Sequence, residues 1–182
     1  MLTLGSSMNY ISLEGVPWVI SAWIGLICFR PFATFFHELG HLFFALIFTK
    51  QEVFLRVGDS INSWHGNISR ISWEITLRKS SEGFTGYEKE SLSKVQLILV
   101  IAGGPLASFI ITLISGWIIF NYNLTTLNEV ILVSWFSANA LVLVRSSVPI
   151  RLKPTTMFPE GPPSDGLELK KILFKKKRGK LG

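Results

Sequence analysis

The sequence predicts a mainly α-helical, polytopic membrane protein with three transmembrane helices, the first long and kinked, and a small β-sheet insertion at the membrane surface. Three observations carry that expectation. Apolar residues crowd into three runs, 16–48, 95–120 and 129–148, which are nearly free of charge. Charged residues make up 16% of the 182-residue chain, whereas soluble domains hold about 25%. Between the first and second runs the apolar residues switch to a period of two.

A helix needs about 20 apolar residues to cross the hydrocarbon core of a bilayer. Residues 16–48 supply 33, interrupted at Arg30-Pro31. Two separate spans would each be too short, so one tilted helix, kinked near Pro31, is expected. Residues 95–120 and 129–148 are the second and third spans. A chain of 182 residues has room for one domain, so residues 1–182 are read as a single membrane-embedded unit.

In the insertion, about 51–79, Val53, Leu55 and Val57 alternate with polar neighbours. Ile71, Trp73, Ile75 and Leu77 alternate with Ser72, Glu74 and Thr76. This period belongs to strands with one apolar face. Gly58-Asp59 and His65-Gly66-Asn67 read as turns, and residues 80–92 as a polar linker.

The formal net charge is +6, unevenly placed. Met1 to Arg30 holds one basic residue, the 49–94 loop holds seven, and Lys170 to Gly182 another seven, while 121–128 holds none. Basic residues gather on the cytoplasmic side. Three spans then put the N-terminus outside and the C-terminus in the cytoplasm of a multi-pass protein, with the cell membrane the expected location. The basic tail, 167–182, suits an anionic lipid surface; nothing else in the chain resembles a nucleic-acid module. The lone Cys28 excludes an intrachain disulfide and a thiolate metal cluster. The N-terminal segment lacks the positive region of a secretory signal.

Within the first span, His37-Glu38-Leu39-Gly40-His41 places two imidazoles one turn apart on one helical face. Such a pair can hold a single zinc ion, with Glu38 offset to act as general base on a water. Gly40 would keep the helix surface thin beside the metal. The plainer alternative, core histidines bonded to backbone carbonyls, must explain three ionisable groups inside an apolar helix, where such groups are costly. The motif would lie inside the membrane but shallow, about 13 Å from the cytoplasmic end of its helix.

A catalytic zinc usually takes a third protein ligand. His65 is one candidate. The aspartates are Asp59 and Asp165, the latter within Gly161-Pro-Pro-Ser-Asp-Gly166, where it could equally be the N-cap of a following helix. Glu88, Glu90 and Glu129 are further carboxylates. In the second span, Ala102, Gly103, Gly104, Ala107 and Ser108 permit close helix approach, and Pro105 frees a carbonyl. Asn139 is a polar residue within the third span, suited to an interhelical hydrogen bond.

His37-Glu-Leu-Gly-His41 in one span, Ala102-Gly-Gly-Pro-Leu-Ala-Ser108 opening the next, and Ser164-Asp-Gly166 after the last together resemble the site-2 protease family of intramembrane zinc metalloproteases. The likeness runs from about Phe32 to Gly166. It implies that His37, His41 and Asp165 bind one zinc ion per chain and that Glu38 activates water. It further implies that Asn139, Gly104 and Pro105 bind substrate. Two differences stand out: Ser146-Ser-Val-Pro149 lacks the asparagine that the family places before its proline, and an insertion from Arg151 separates that proline from Asp165.

The expected activity is hydrolysis of peptide bonds in a transmembrane or membrane-associated protein, with an extended substrate segment added to a sheet edge. A regulatory membrane partner would be compatible with it. The alternative is a metal- or partner-binding membrane protein on the same scaffold without catalytic activity.

Overall fold

A computed structural model describes residues 16–154 and 158–174. Three helices long and apolar enough to cross a membrane, by length and composition, form its body. The first, α1 (Val16–Phe48), runs unbroken through Pro31 for 33 residues, roughly 50 Å at 1.5 Å per residue. The second, α2 (Lys94–Asn121), contains Pro105. Ser93 sets its start: the hydroxyl accepts from Gln96 N–H while the Gln96 side chain accepts from Ser93 N–H. This reciprocal cap satisfies two amides that the helix leaves without partners. The third, α3, spans Thr126–Ser147. A long apolar helix stands at each of the three expected places, within three residues of the expected bounds.

The helices meet through small and hydroxylated residues. At the crossing of α1 and α2, a Cβ on Gly40 would strike Gly103 O, and a Cβ on Gly103 would strike Gly40 O. Main chain therefore lies directly on main chain there, a contact that glycine alone allows. Large apolar side chains such as Trp23, Ile27, Phe43, Leu113, Trp117 and Phe120 point outward from α1 and α2 and are exposed.

The insertion is a mixed four-stranded sheet in the order β2-β3-β1-β4: β1 is Val53–Val57, β2 Trp64–Ile68, β3 Ile71–Ile75 and β4 Gly83–Gly86. β1 pairs parallel with β3 and antiparallel with β4, while β2 pairs antiparallel with β3. The alternation expected for β1 is realised, since Val53, Leu55 and Val57 are buried. Val53 and Leu55 pack with Leu42 and Ala45 of α1 and Val100 of α2.

Two local expectations are corrected. His65-Gly66-Asn67 is strand, not turn; the chain reverses just beyond, where Ser69 takes a φ of 54°. Residues 80–92 are not all linker, because β4 lies within them and carries the sheet past 79 to Gly86. β4 escapes a reading by periodicity because Phe84 is its single large apolar side chain, and pairing with β1 supplies the rest.

After α3, the insertion noted from Arg151 closes on itself. Leu152 N–H donates to Pro162 O at 2.8 Å, Ser164 N–H donates to Ile150 O at 3.0 Å, and Arg151 bridges Pro163. The chain thus returns to the end of α3 before starting α4 (Asp165–Phe174). The lysine-rich end of the basic tail, 175–182, lies outside the described residues.

Candidate metal centre

His37 and His41 are buried on α1, and their rings are edge-to-face with centroids 4.9 Å apart. α2 fixes both rings from behind. The Nδ1 of His41 lies 2.8 Å from Val100 O, and the Nδ1 of His37 lies 3.0 Å from Ser108 Oγ. A carbonyl can only accept, so the proton of His41 belongs on Nδ1. The Gly104 amide also points at that nitrogen, but from 3.3 Å; the shorter contact decides the assignment. Ser108 Oγ can accept from His37 in the same way. Both Nε2 lone pairs are then left to converge, 3.2 Å apart. An outer contact that sets tautomer and ring orientation is the usual support of a metal-binding histidine.

Asp165 completes the cluster. Its Oδ2 lies 3.1 Å from His37 Nε2 and its Oδ1 lies 3.5 Å from His41 Nε2. Asp165 is the first residue of α4 and not its N-cap. Ser164 takes that role, accepting from Leu167 N–H at 3.2 Å while donating to Val148 O at 2.6 Å. The cap thereby frees the Asp165 carboxylate and ties it to the end of α3. Burial disfavours ionisation of this carboxyl, but its contacts with His37 and then His41 outweigh burial and hold it below the usual carboxylate range.

The donors fit a divalent ion. Zinc bonds to nitrogen and oxygen are about 2.0–2.1 Å long, so neighbouring corners of a tetrahedral site lie about 3.3 Å apart. The two Nε2 atoms lie 3.2 Å apart, and the two Asp165 oxygens lie 3.1 Å from one and 3.5 Å from the other. Two lone pairs and a carboxylate facing one another repel unless a metal ion, or in its place a proton on an Nε2, lies among them. Space is reserved as well. A Cβ on Gly104 would overlap His41 Nε2 and sit 2.7 Å from His37 Nε2.

Glu38 is buried beside this cluster. It can offer a ligand atom together with the two histidines, all within 4.8 Å of one another, which makes it a second possible carboxylate donor. Its tethering favours a different role. The Thr85 hydroxyl of β4 donates to Glu38 Oε2 at 2.6 Å, while Asp165 touches both Nε2 atoms. β4 lies so close that a Cβ on Gly83 would strike the Glu38 carboxylate.

A cavity of about 220 Å³ opens on these groups. Its walls are the inner stripe of α1, β4, the end of α3, the returning loop and α4. Thr85, Ser108 and Ser164 touch Glu38, His37 and the end of α3, contacts that no sequence pattern announced; Ser108 and Ser164 fell inside quoted motifs, and Thr85 carried no signal.

The remaining candidates are placed elsewhere. Gly40 faces Gly103, so its role is helix packing and not room for a substrate. Gly104 backs the imidazoles and Pro105 is half-buried on α2; neither borders the cavity. Asn139 is fully buried, donates to Trp135 O at 2.9 Å within its own helix, and also lies off the cavity wall. His65 is exposed on β2, at the sheet edge opposite β4. Asp59 pairs with Arg78 at 3.1 Å, Glu90 and Glu129 are exposed, and Glu88 does not border the cavity.

Compared with known proteins, the chain matches no protein-family model and no curated protein.

Proposed function

We propose that the chain is an intramembrane zinc metalloprotease of the site-2 type, cleaving a transmembrane or membrane-associated protein. One observation carries this reading: two imidazole nitrogens and the Asp165 carboxylate converge within 3.5 Å of one another beside a tethered glutamate, on a helix apolar enough to lie in lipid.

His37, His41 and Asp165 would hold one zinc ion per chain. When bound, zinc lowers the pKa of a coordinated water and polarises a carbonyl. Glu38 serves as general base. The Thr85 hydroxyl occupies Oε2 and leaves Oε1, which lies against Gly83, as the free proton acceptor. The substrate must lie extended, because a helical carbonyl is already hydrogen-bonded and shielded. β4 suits this need: it is an edge strand, and it borders the cavity. An extended peptide can add to such an edge through main-chain hydrogen bonds.

The charge bias of the loops supports an N-terminus outside the cell membrane and a cytoplasmic C-terminus, with the basic tail on anionic lipid. Water would then reach the site from the cytoplasmic side.

Glu38→Gln is the direct test. It keeps the size and the hydrogen bond from Thr85 but removes the base. Cleavage of a membrane reporter is expected to fall at least a hundredfold, with zinc content unchanged by atomic absorption. Undiminished turnover would defeat the mechanism. Zinc binding with no turnover by the unaltered chain would point to the non-catalytic metal-binding alternative.

A further inference from the structure

The metal chemistry leaves Arg30 and Arg145 of the cavity wall unused. Arg30 shares one stripe of α1 with Thr34, His37 and His41, since steps of four, three and four residues return to the same helical face. It lies seven residues from His37, about 10 Å along the axis. Arg145 faces the same cavity from the last turn of α3 and donates one N–H to Ser81 O at 2.7 Å. The other donors of its guanidinium remain available. Among the described residues, the Arg30 guanidinium makes no hydrogen bond and no ion pair. Both guanidiniums line one cavity with Glu82, whose charge partly offsets the repulsion that Arg30 exerts on Arg145 but which forms an ion pair with neither.

Arg30 cannot relieve this arrangement by reaching a helix end. Val16 is 14 residues away and Phe48 is 18, about 21 and 27 Å along the axis, beyond the reach of a snorkelling side chain. Guanidiniums at this depth among apolar helices, Arg30 exposed and Arg145 half-buried, are costly unless an anion joins them. A guanidinium fork matches a carboxylate in shape as well as charge. The walls favour a peptide as the source of that carboxylate. They include an open strand edge, and about 220 Å³ admits side chains but not a lipid with its acyl chains.

We propose that Arg30 and Arg145 form a subsite for an acidic side chain of the substrate segment, about three residues from the bond presented to the metal centre at 3.3 Å per extended residue. The identity of the occupant as a peptide rests on the proteolytic reading above. A lysine at the same place would be repelled, so the subsite selects by charge.

The test uses the zinc-loaded Glu38→Gln chain in zwitterionic nanodiscs and model transmembrane peptides in which one Glu, Gln or Lys is walked through the segment. At the best position, the Glu peptide is expected to bind about 30-fold tighter than its Gln twin. Arg30→Gln and Arg145→Gln should each reduce that preference, and Arg30→Glu should reverse it in favour of the Lys peptide. A reversal cannot arise from misfolding. Equal affinity for all three peptides in the Arg30-intact chain would overturn the proposal, as would a Glu preference that survives both Gln substitutions. Loss of the preference when phosphatidylglycerol replaces the zwitterionic lipid would assign the cavity to a lipid phosphate and equally overturn it. Turnover by the Glu38-intact chain is scored separately. Discrimination without turnover sinks the proteolytic reading alone, and turnover without discrimination sinks the subsite alone.

Discussion

The two imidazoles and the two carboxylates of this site are held in different ways. His37 and His41 sit on one helix and are buttressed by a second, where main chain meets main chain at Gly40 and Gly103. Glu38 starts from the same helix, but its carboxylate is fixed by Thr85 of an edge strand. Asp165 arrives on a short helix whose position depends on the Ser164 cap and the closed loop before it. The nitrogens are therefore held within one helix pair, and the oxygens by contacts with other elements.

The sharpest way to break this division is to fill the glycines of α2. Gly104→Ala places a methyl group where the two Nε2 atoms converge, so bound zinc is expected to fall to roughly a tenth or less by atomic absorption, the upper end of what disturbed ligand support costs. Gly103→Ala strikes the main chain of α1 instead. It should destabilise the helix pair by about 1–3 kcal/mol, seen as a lower thermal midpoint, before it changes the zinc stoichiometry of the folded fraction. Equal effects of the two substitutions would erase the distinction between ligand space and packing.

A smaller effect separates the two hydroxyl supports. Ser108→Ala removes the partner of His37 Nδ1 and is expected to weaken zinc affinity about 10-fold in a chelator competition. Thr85→Val frees the Glu38 carboxylate. It should leave zinc affinity near normal and lower kcat about tenfold, less than the roughly hundredfold or more that losing a general base outright costs. Loss of zinc in Thr85→Val would make Glu38 a ligand and force a new assignment of the base.

The smallest effect concerns pH. The Asp165 carboxyl is held below its ordinary range by His37 and His41. A depressed carboxylate stabilises the folded state fully above its unfolded pKa, about 3.9, and that contribution is lost as pH falls toward the folded value. In metal-free protein, amide exchange of α4 should therefore stay slow down to about pH 4 and accelerate below it. Asp165→Asn should show no such step.

Much of this was legible in the residues themselves. The lengths of the apolar runs set the three long helices, because a helix that faces lipid must be apolar for its whole span. The alternation of Val53, Leu55 and Val57 gave β1, because one face of that strand is buried against α1 and α2. The spacing of His37 and His41 placed both rings on one face, since helical periodicity is a local property. β4 and the strand at His65 were not legible. Their residues have no period of their own, and their partners lie up to thirty-two positions away, as between Phe54 and Gly86.

The sequence by itself therefore determined which residues could hold a cation and which helix would carry them. Only the tertiary structure brought the Asp165 carboxylate against the imidazoles, made Ser164 and not Asp165 the cap of α4, and set Gly104 beside both Nε2 atoms while Gly40 serves packing. The physical reason is range. A helix fixes neighbours three and four residues apart through its own hydrogen bonds. The meeting of His37 with Asp165, 128 positions later, depends on every packed element between them.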